Sequence, residues 1–196
     1  MRNVFKAEST EFGMKNWLLA VTLTAVLSGC TGVPAGVTVV KPFDLNAYLG
    51  TWYEVARLDH RFERGLTQVS AEYRLLPDGT VNVINRGYSE QKGQWQEAQG
   101  RAKFVDTPDQ GRLKVSFFGP FYGAYNIVKL TPDYSMALVV GPDLSYGWLL
   151  ARSQTPAATQ CQQFYQAAEE IGIASRDWIR LIPCQDAGPA LSADSQ

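Results

Sequence analysis

Apolar and polar positions alternate with a period of two in eight short runs through the middle of the chain. The runs are Thr51–Leu58, Val69–Leu76, Thr80–Tyr88, Gln94–Val105, Arg112–Phe118, Tyr122–Leu130, Met136–Val140 and Tyr146–Ser153. Such alternation gives a strand one face on a core and one in solvent. Turn formers separate several of the runs: Pro77-Asp78-Gly79, Gly119-Pro120, Thr131-Pro132-Asp133 and Gly141-Pro142-Asp143. Connections this short join neighbouring antiparallel strands. The pattern predicts an all-β domain, either an antiparallel sandwich or an eight-stranded up-and-down barrel.

The period then lengthens. Ala157, Cys161, Phe164, Ala168 and Ile171 are spaced 4, 3, 4 and 3 residues apart, which is one face of a helix. Thr155 is the expected N-cap, Pro156 the first helical residue and Gly172 the C-terminal cap. Trp178–Ile182 reads as a short final strand, ended by Pro183. If that strand runs back along the helix, Cys184 comes level with Cys161. A Cys161–Cys184 disulfide is then favoured over two buried free thiols. The tail from 185 to 196 is small and polar and is expected to be disordered. Neither an internal repeat nor a second domain is visible, so the barrel unit is expected to span 37–184.

The first thirty residues have another character. An apolar stretch from Trp17 to Leu27 follows Lys15 and is too short for a bilayer, which takes about 20 residues. It suits a cleaved signal peptide over residues 1–29. Glu8 and Glu11 fit such a leader poorly, and Met14 is the better start. The end of the stretch, Leu27-Ser28-Gly29-Cys30, resembles a bacterial lipobox. By that resemblance Cys30 becomes the lipidated first residue, and residues 30–36 a short tether. Thr31 in the next position, in place of an aspartate, is similar to sorting signals for the outer membrane.

Composition narrows the chemistry. With 196 residues and a net charge of −1, the chain lacks the basic excess that binds nucleic acid. One histidine and three cysteines leave little for a multi-ligand metal site, and none is expected. No serine or cysteine is placed for activation by His60, so no catalytic residue is assigned. Glu54 is the one titratable group that an enzyme reading would use, if burial raises its pKa.

The stretches Tyr48-Leu49-Gly50-Thr51-Trp52-Tyr53-Glu54, Asp59-His60-Arg61-Phe62-Glu63-Arg64-Gly65-Leu66 and Val115-Ser116-Phe117-Phe118-Gly119-Pro120-Phe121-Tyr122-Gly123 resemble a lipocalin. With the late Arg152, the following helix and the lipobox, they are similar to the bacterial outer-membrane lipoprotein lipocalins over nearly all of residues 37–182. The resemblance implies an eight-stranded barrel with one C-terminal helix and a short final strand. It also implies a lipid-anchored protein on the periplasmic face of the outer membrane. Its role would be to carry a small hydrophobic ligand, a fatty acid or lysophospholipid, with no cofactor. A filled barrel acting as an interaction lipoprotein, or a lipocalin-fold enzyme using Glu54, is the competing reading.

Strand parity then assigns residues to places. Trp52 starts the first strand at the barrel floor, and eight up-and-down strands return Arg152 beside it as a cation–π closure. Alternation from Trp52 turns Glu54, Ala56 and Leu58 inward. Ala71, Tyr73, Val83, Asn85, Ala98, Val115, Phe117, Tyr125, Val139, Tyr146 and Trp148 are the other expected ligand-lining residues. Arg61, Arg64, Phe121 and Tyr122 fall in loops around the mouth. The arginines suit a phosphate or carboxylate headgroup. The aromatic pair suits a membrane, the ligand or a homodimer contact.

Overall fold

The computed structural model describes residues 31–185. The expected leader, lipid attachment at Cys30 and polar tail lie outside the described residues, apart from Gln185. The eight runs form β1 (Gly50–Arg57), β2 (Leu66–Leu75), β3 (Val81–Ser89), β4 (Gln94–Phe104), β5 (Arg112–Phe118), β6 (Phe121–Leu130), β7 (Met136–Val140) and β8 (Gly147–Ala151). Each pairs antiparallel with the next, and β1 pairs with both β2 and β8, so the sheet closes. The sandwich alternative is thereby excluded.

A residue-level departure lies in β1. Glu54 stands opposite Leu150 and Ala56 opposite Leu149, so Val55 is bulged out of the ladder. One extra residue reverses the parity of everything after it. Glu54 stays inward, while Ala56 and Leu58 turn outward into the layer beneath the helix. The expectation that Ala56 faces a ligand is therefore wrong, and Arg57 takes the inward position.

Outside the barrel lie α2 (Ala158–Glu170) and β9 (Ile179–Arg180). Cys161, Phe164 and Ala168 of α2 pack on Val55, Ala56, Leu138, Val140 and Leu149. The helix begins later than Thr155 and Pro156 suggested, with Ala157 at the cap and no side-chain cap bond. Backbone groups from the C-terminal segment cap it instead. Ala158 N–H donates to Gln185 O at 2.7 Å, and Gln185 N–H donates to Pro156 O at 2.9 Å. At the other end Gly172, at φ +100°, makes a left-handed cap. Its N–H donates to Glu169 O and that of Ile173 to Ala168 O, which satisfies two terminal carbonyls. β9 pairs with Ala56 and Arg57, where β1 has already parted from β2.

Cys161 and Cys184 form a disulfide, with Cα atoms 6.3 Å apart at a sequence separation of 23. Cross-linking a loop of this size stabilises by about 3 kcal/mol. Reduction should therefore lower Tm by roughly 6–12 °C in a thermal melt with and without reductant. An unchanged Tm would show that the bridge contributes nothing.

The chain ahead of β1 is not a free tether. Gly32 O accepts from Asn126 Nδ2 at 3.0 Å, and Pro34 is buried. Val40 N–H then donates to Ile127 O, Val40 O accepts from Gly111 N–H, and Phe43 N–H donates to Asp109 O. This segment delivers α1 (Leu45–Tyr48), capped by Asp44, to the barrel floor. There Tyr48 packs on Trp52 with ring centroids 4.7 Å apart, and the Trp52 indole N–H donates to Tyr48 O at 2.8 Å. The Arg152 guanidinium lies 4.0 Å from the centre of the Trp52 ring. It donates to the carbonyls of Thr51, Ala47 and Leu49 at 2.7, 2.9 and 2.7 Å. The floor is shut by aromatic packing, and Arg152 ties four carbonyls around it, that of Tyr134 being the fourth at 3.4 Å.

Candidate functional site

Above that floor the barrel is not filled. A cavity of about 100 Å³, opening to solvent at the mouth, runs between the strands. Its walls include Ala71, Val81, Val83, Ala102, Leu113, Val115, Phe117, Ala124 and Leu150. Small residues on facing strands leave the space, and aliphatic and aromatic ones make it apolar. Such a chamber favours an apolar ligand with a few polar groups to orient it.

The structure sorts the expected lining residues. Ala71, Tyr73, Val83, Asn85, Val115, Phe117, Tyr125 and Trp148 all line the cavity. Three others do not. Ala98 stands opposite Asn85, on the inward parity, but is exposed and outside the lining. Val139 is fully buried among packed barrel side chains, not at the cavity surface. Tyr146 stacks over His60, with centroids 6.0 Å apart, outside the chamber. Ala56 is lost to the bulge, as above. Sequence reading missed Tyr48, which arrives on α1, and Phe62 and Glu63, which arrive on the loop after β1.

That loop makes the mouth unlike the one expected. Because the bulge turns Arg57 inward, its guanidinium reaches Glu54 Oε1 at 2.8 Å. It also holds the carbonyls of Glu63 and Leu66 at 2.9 and 3.2 Å, which folds the loop over the chamber. Glu63 Oε2 accepts from the Trp148 indole N–H at 3.0 Å. His60 Nε2 lies 3.1 Å from that same oxygen, and Phe62 stacks on its ring at 4.1 Å. Glu54 is thus paired with Arg57. Two buried carboxyls lie at the mouth: Glu54 pairs with the guanidinium, and Glu63 offers it only a backbone carbonyl.

Their titration follows from burial. Desolvation, then the charge of Glu63, raises the Glu54 pKa to about 8, with Arg57 opposing. Burial likewise raises Glu63. Burial and then the charge of Arg57 lower His60 to about 4, so its imidazole is neutral at pH 7. A raised acid pKa stabilises the fold below the unfolded value of 4.5, and that contribution is lost as pH rises towards about 8. The depressed His60 acts oppositely, its contribution being lost as pH falls from 6.5 through about 4. Between pH 6.5 and 8 the carboxyls dominate. Tm should fall over that window, and less steeply in Glu54→Gln; equal slopes by scanning calorimetry would contradict this.

The remaining rim residues also move from their expected roles. Arg64 is held bidentately by Asp59, at 2.6 and 3.0 Å, and so is not free for a headgroup. Arg61 is exposed and makes no ion pair among the described residues. Tyr122 lies on the outer wall between Lys103 and Lys114, 4.8 and 5.4 Å from their ammonium groups. Phe121 is exposed as expected, and Phe118, which pairs with it across the hairpin, is exposed beside it. No cluster of metal-binding side chains is present among the described residues.

Comparison with known proteins gives the same frame. The lipocalin-like domain model matches residues 43–182. The chain is 50% identical over 169 residues to the outer membrane lipoprotein Blc of Vibrio cholerae, covering 86% of this chain and 97% of that protein. It is 49% identical over 165 residues to the Escherichia coli K12 protein of the same name, covering 82% and 93%. Temperature-induced lipocalin-1 of Arabidopsis thaliana is 34% identical, over 68% of this chain and 76% of its own. Insecticyanin from the tobacco hornworm Manduca sexta superposes with a TM-score of 0.61 at 20% identity, covering 80% of this chain and 91% of that one.

Proposed function

Since this chain belongs to the lipocalin family, we propose that it is an outer-membrane lipoprotein that carries a single-chain lipid in its barrel. The observation that carries the reading is the apolar cavity, shut below by Trp52 and Arg152 and open above. An acyl chain buried there gains about 0.8 kcal/mol for each methylene removed from water. The relatives named outer membrane lipoprotein support the location, as does the lipobox at Cys30. Thr31 and Gly32 are bonded to the barrel wall through Arg112 and Asn126, so an acylated Cys30 would hold the barrel against the membrane surface. We place the protein on the periplasmic face, storing or moving lipid within the envelope.

Fatty acid and lysophospholipid would both bring an acyl chain to the apolar walls, and the mouth favours the second. A free carboxylate would sit in the same buried surroundings that raise Glu54 and Glu63 and oppose negative charge there. A zwitterionic headgroup carries no net charge, can hydrogen-bond those carboxyls through its ammonium and can set its phosphate beside Arg61. Titration of lysophosphatidylethanolamine, followed by tryptophan emission, should saturate at one lipid per chain, and palmitate should bind more weakly. A chain that changes emission with neither lipid would refute the proposal.

A further inference from the structure

At the floor of the cavity three tyrosine hydroxyls form a chain. Tyr125 Oη lies 2.7 Å from Tyr48 Oη and 2.8 Å from Tyr73 Oη. All three side chains line the chamber, and the hydroxyls make no other hydrogen bond among the described residues. Each hydroxyl carries one proton. Two bonds use two protons, so one O–H is always left over, whichever way the chain is oriented. Reversing the chain moves that free donor between Tyr48 and Tyr73; if Tyr125 accepts from both, it lies on Tyr125.

We infer that this triad is a polar subsite at the deep end of the barrel, built to take a neutral oxygen acceptor carried on the acyl chain of the ligand. The inference rests on the reading of the cavity as an acyl-chain site and concerns which chain it prefers. A plain terminal methyl leaves the free O–H facing hydrocarbon, and an unmet buried donor is costly. A ketone, epoxide or hydroxyl oxygen meets it. An anion does not suit the place. Burial raises the pKa of all three tyrosines, so the surroundings oppose negative charge. Arg152, whose charge acts on Tyr48 and Tyr73, is committed to the carbonyls of Thr51, Ala47 and Leu49. The cavity therefore discriminates at both ends: charge at the mouth and a neutral acceptor at the base. Oxygenated acyl chains are the class of ligand that uses both.

The test compares stearoyl lysophosphatidylethanolamine with a series bearing one ketone at successive chain positions. A ketone only accepts, so it reads the free donor alone. One position should bind the native chain about 2- to 10-fold tighter than the plain lipid, the worth of one hydrogen bond. The preference should vanish in the triple variant Tyr48→Phe, Tyr73→Phe, Tyr125→Phe, which keeps the shape and removes all three hydroxyls together. It should persist in Tyr73→Phe, where two hydroxyls share one bond and a donor remains. In the native chain the carbonyl stretch of the favoured ketone should also lie below its value in hexane, a readout that needs no variant. Equal affinity at every ketone position, or a carbonyl band at the hexane frequency, would overturn the inference. Failure of the plain lipid and of every ketone to bind would sink the acyl-chain reading as well, and this one with it.

Discussion

Replacing Val115 with tryptophan should abolish lipid uptake while leaving the barrel folded. Val115 sits mid-strand on β5, between Ala102 of β4 and Gly123 of β6, and faces the cavity. Its neighbours there are small, so an indole has somewhere to go, and that place is where the acyl chain would lie. Displacing three or four methylenes, at about 0.8 kcal/mol each, lowers affinity about 100-fold. Because the side chain enters open space and not a packed core, stability should change by less than about 1 kcal/mol. Calorimetric titration of lysophosphatidylethanolamine beside a urea melt separates the two effects. Native-like affinity in Val115→Trp would place the lipid elsewhere.

The largest loss of stability is expected from Trp52→Ala. Trp52 has no exposed surface and belongs to the packed set that includes Phe43, Tyr48, Ile127, Val139 and Leu150. Truncating a buried tryptophan costs about 3–5 kcal/mol. Here the loss also takes the ring from under Arg152, whose guanidinium bonds then have to hold the floor alone. The urea midpoint should drop accordingly, with lipid affinity weakened as the floor loosens. A loss below about 1 kcal/mol would mean that Arg152 and the α1 segment close the barrel without the indole.

Much of this architecture is legible in the sequence because period and punctuation agree. The eight alternating runs match eight strands, two of them, Arg112–Phe118 and Met136–Val140, to the residue. Gly50-Thr51-Trp52-Tyr53 and Arg152 locate the closed end, since an even number of up-and-down strands must return there. The limits are physical. Val55-Ala56 gives no sign of a bulge, because both residues are apolar and serve either face equally well. One inserted residue then exchanges Ala56 for Arg57 at the cavity side and creates the buried cluster with Glu54 and Glu63. Charged residues in a loop are read as solvated by default, yet His60 and Glu63 are buried there. Arg64 is spent on Asp59, a pairing across five residues of irregular chain that no periodicity marks. Tyr48 is hidden for a different reason. The strap and short helix before β1 have no repeat, so nothing in the pattern aims that side chain at the floor.

Whether the barrel holds one acyl chain is best decided by native mass spectrometry of a soluble chain beginning at Thr31, titrated with lysophosphatidylethanolamine. A single added lipid per chain is expected, saturating at one, and absent from Val115→Trp. A properly folded chain that takes up no lipid, or one that takes up several without saturation, would contradict a single acyl-chain site inside the barrel.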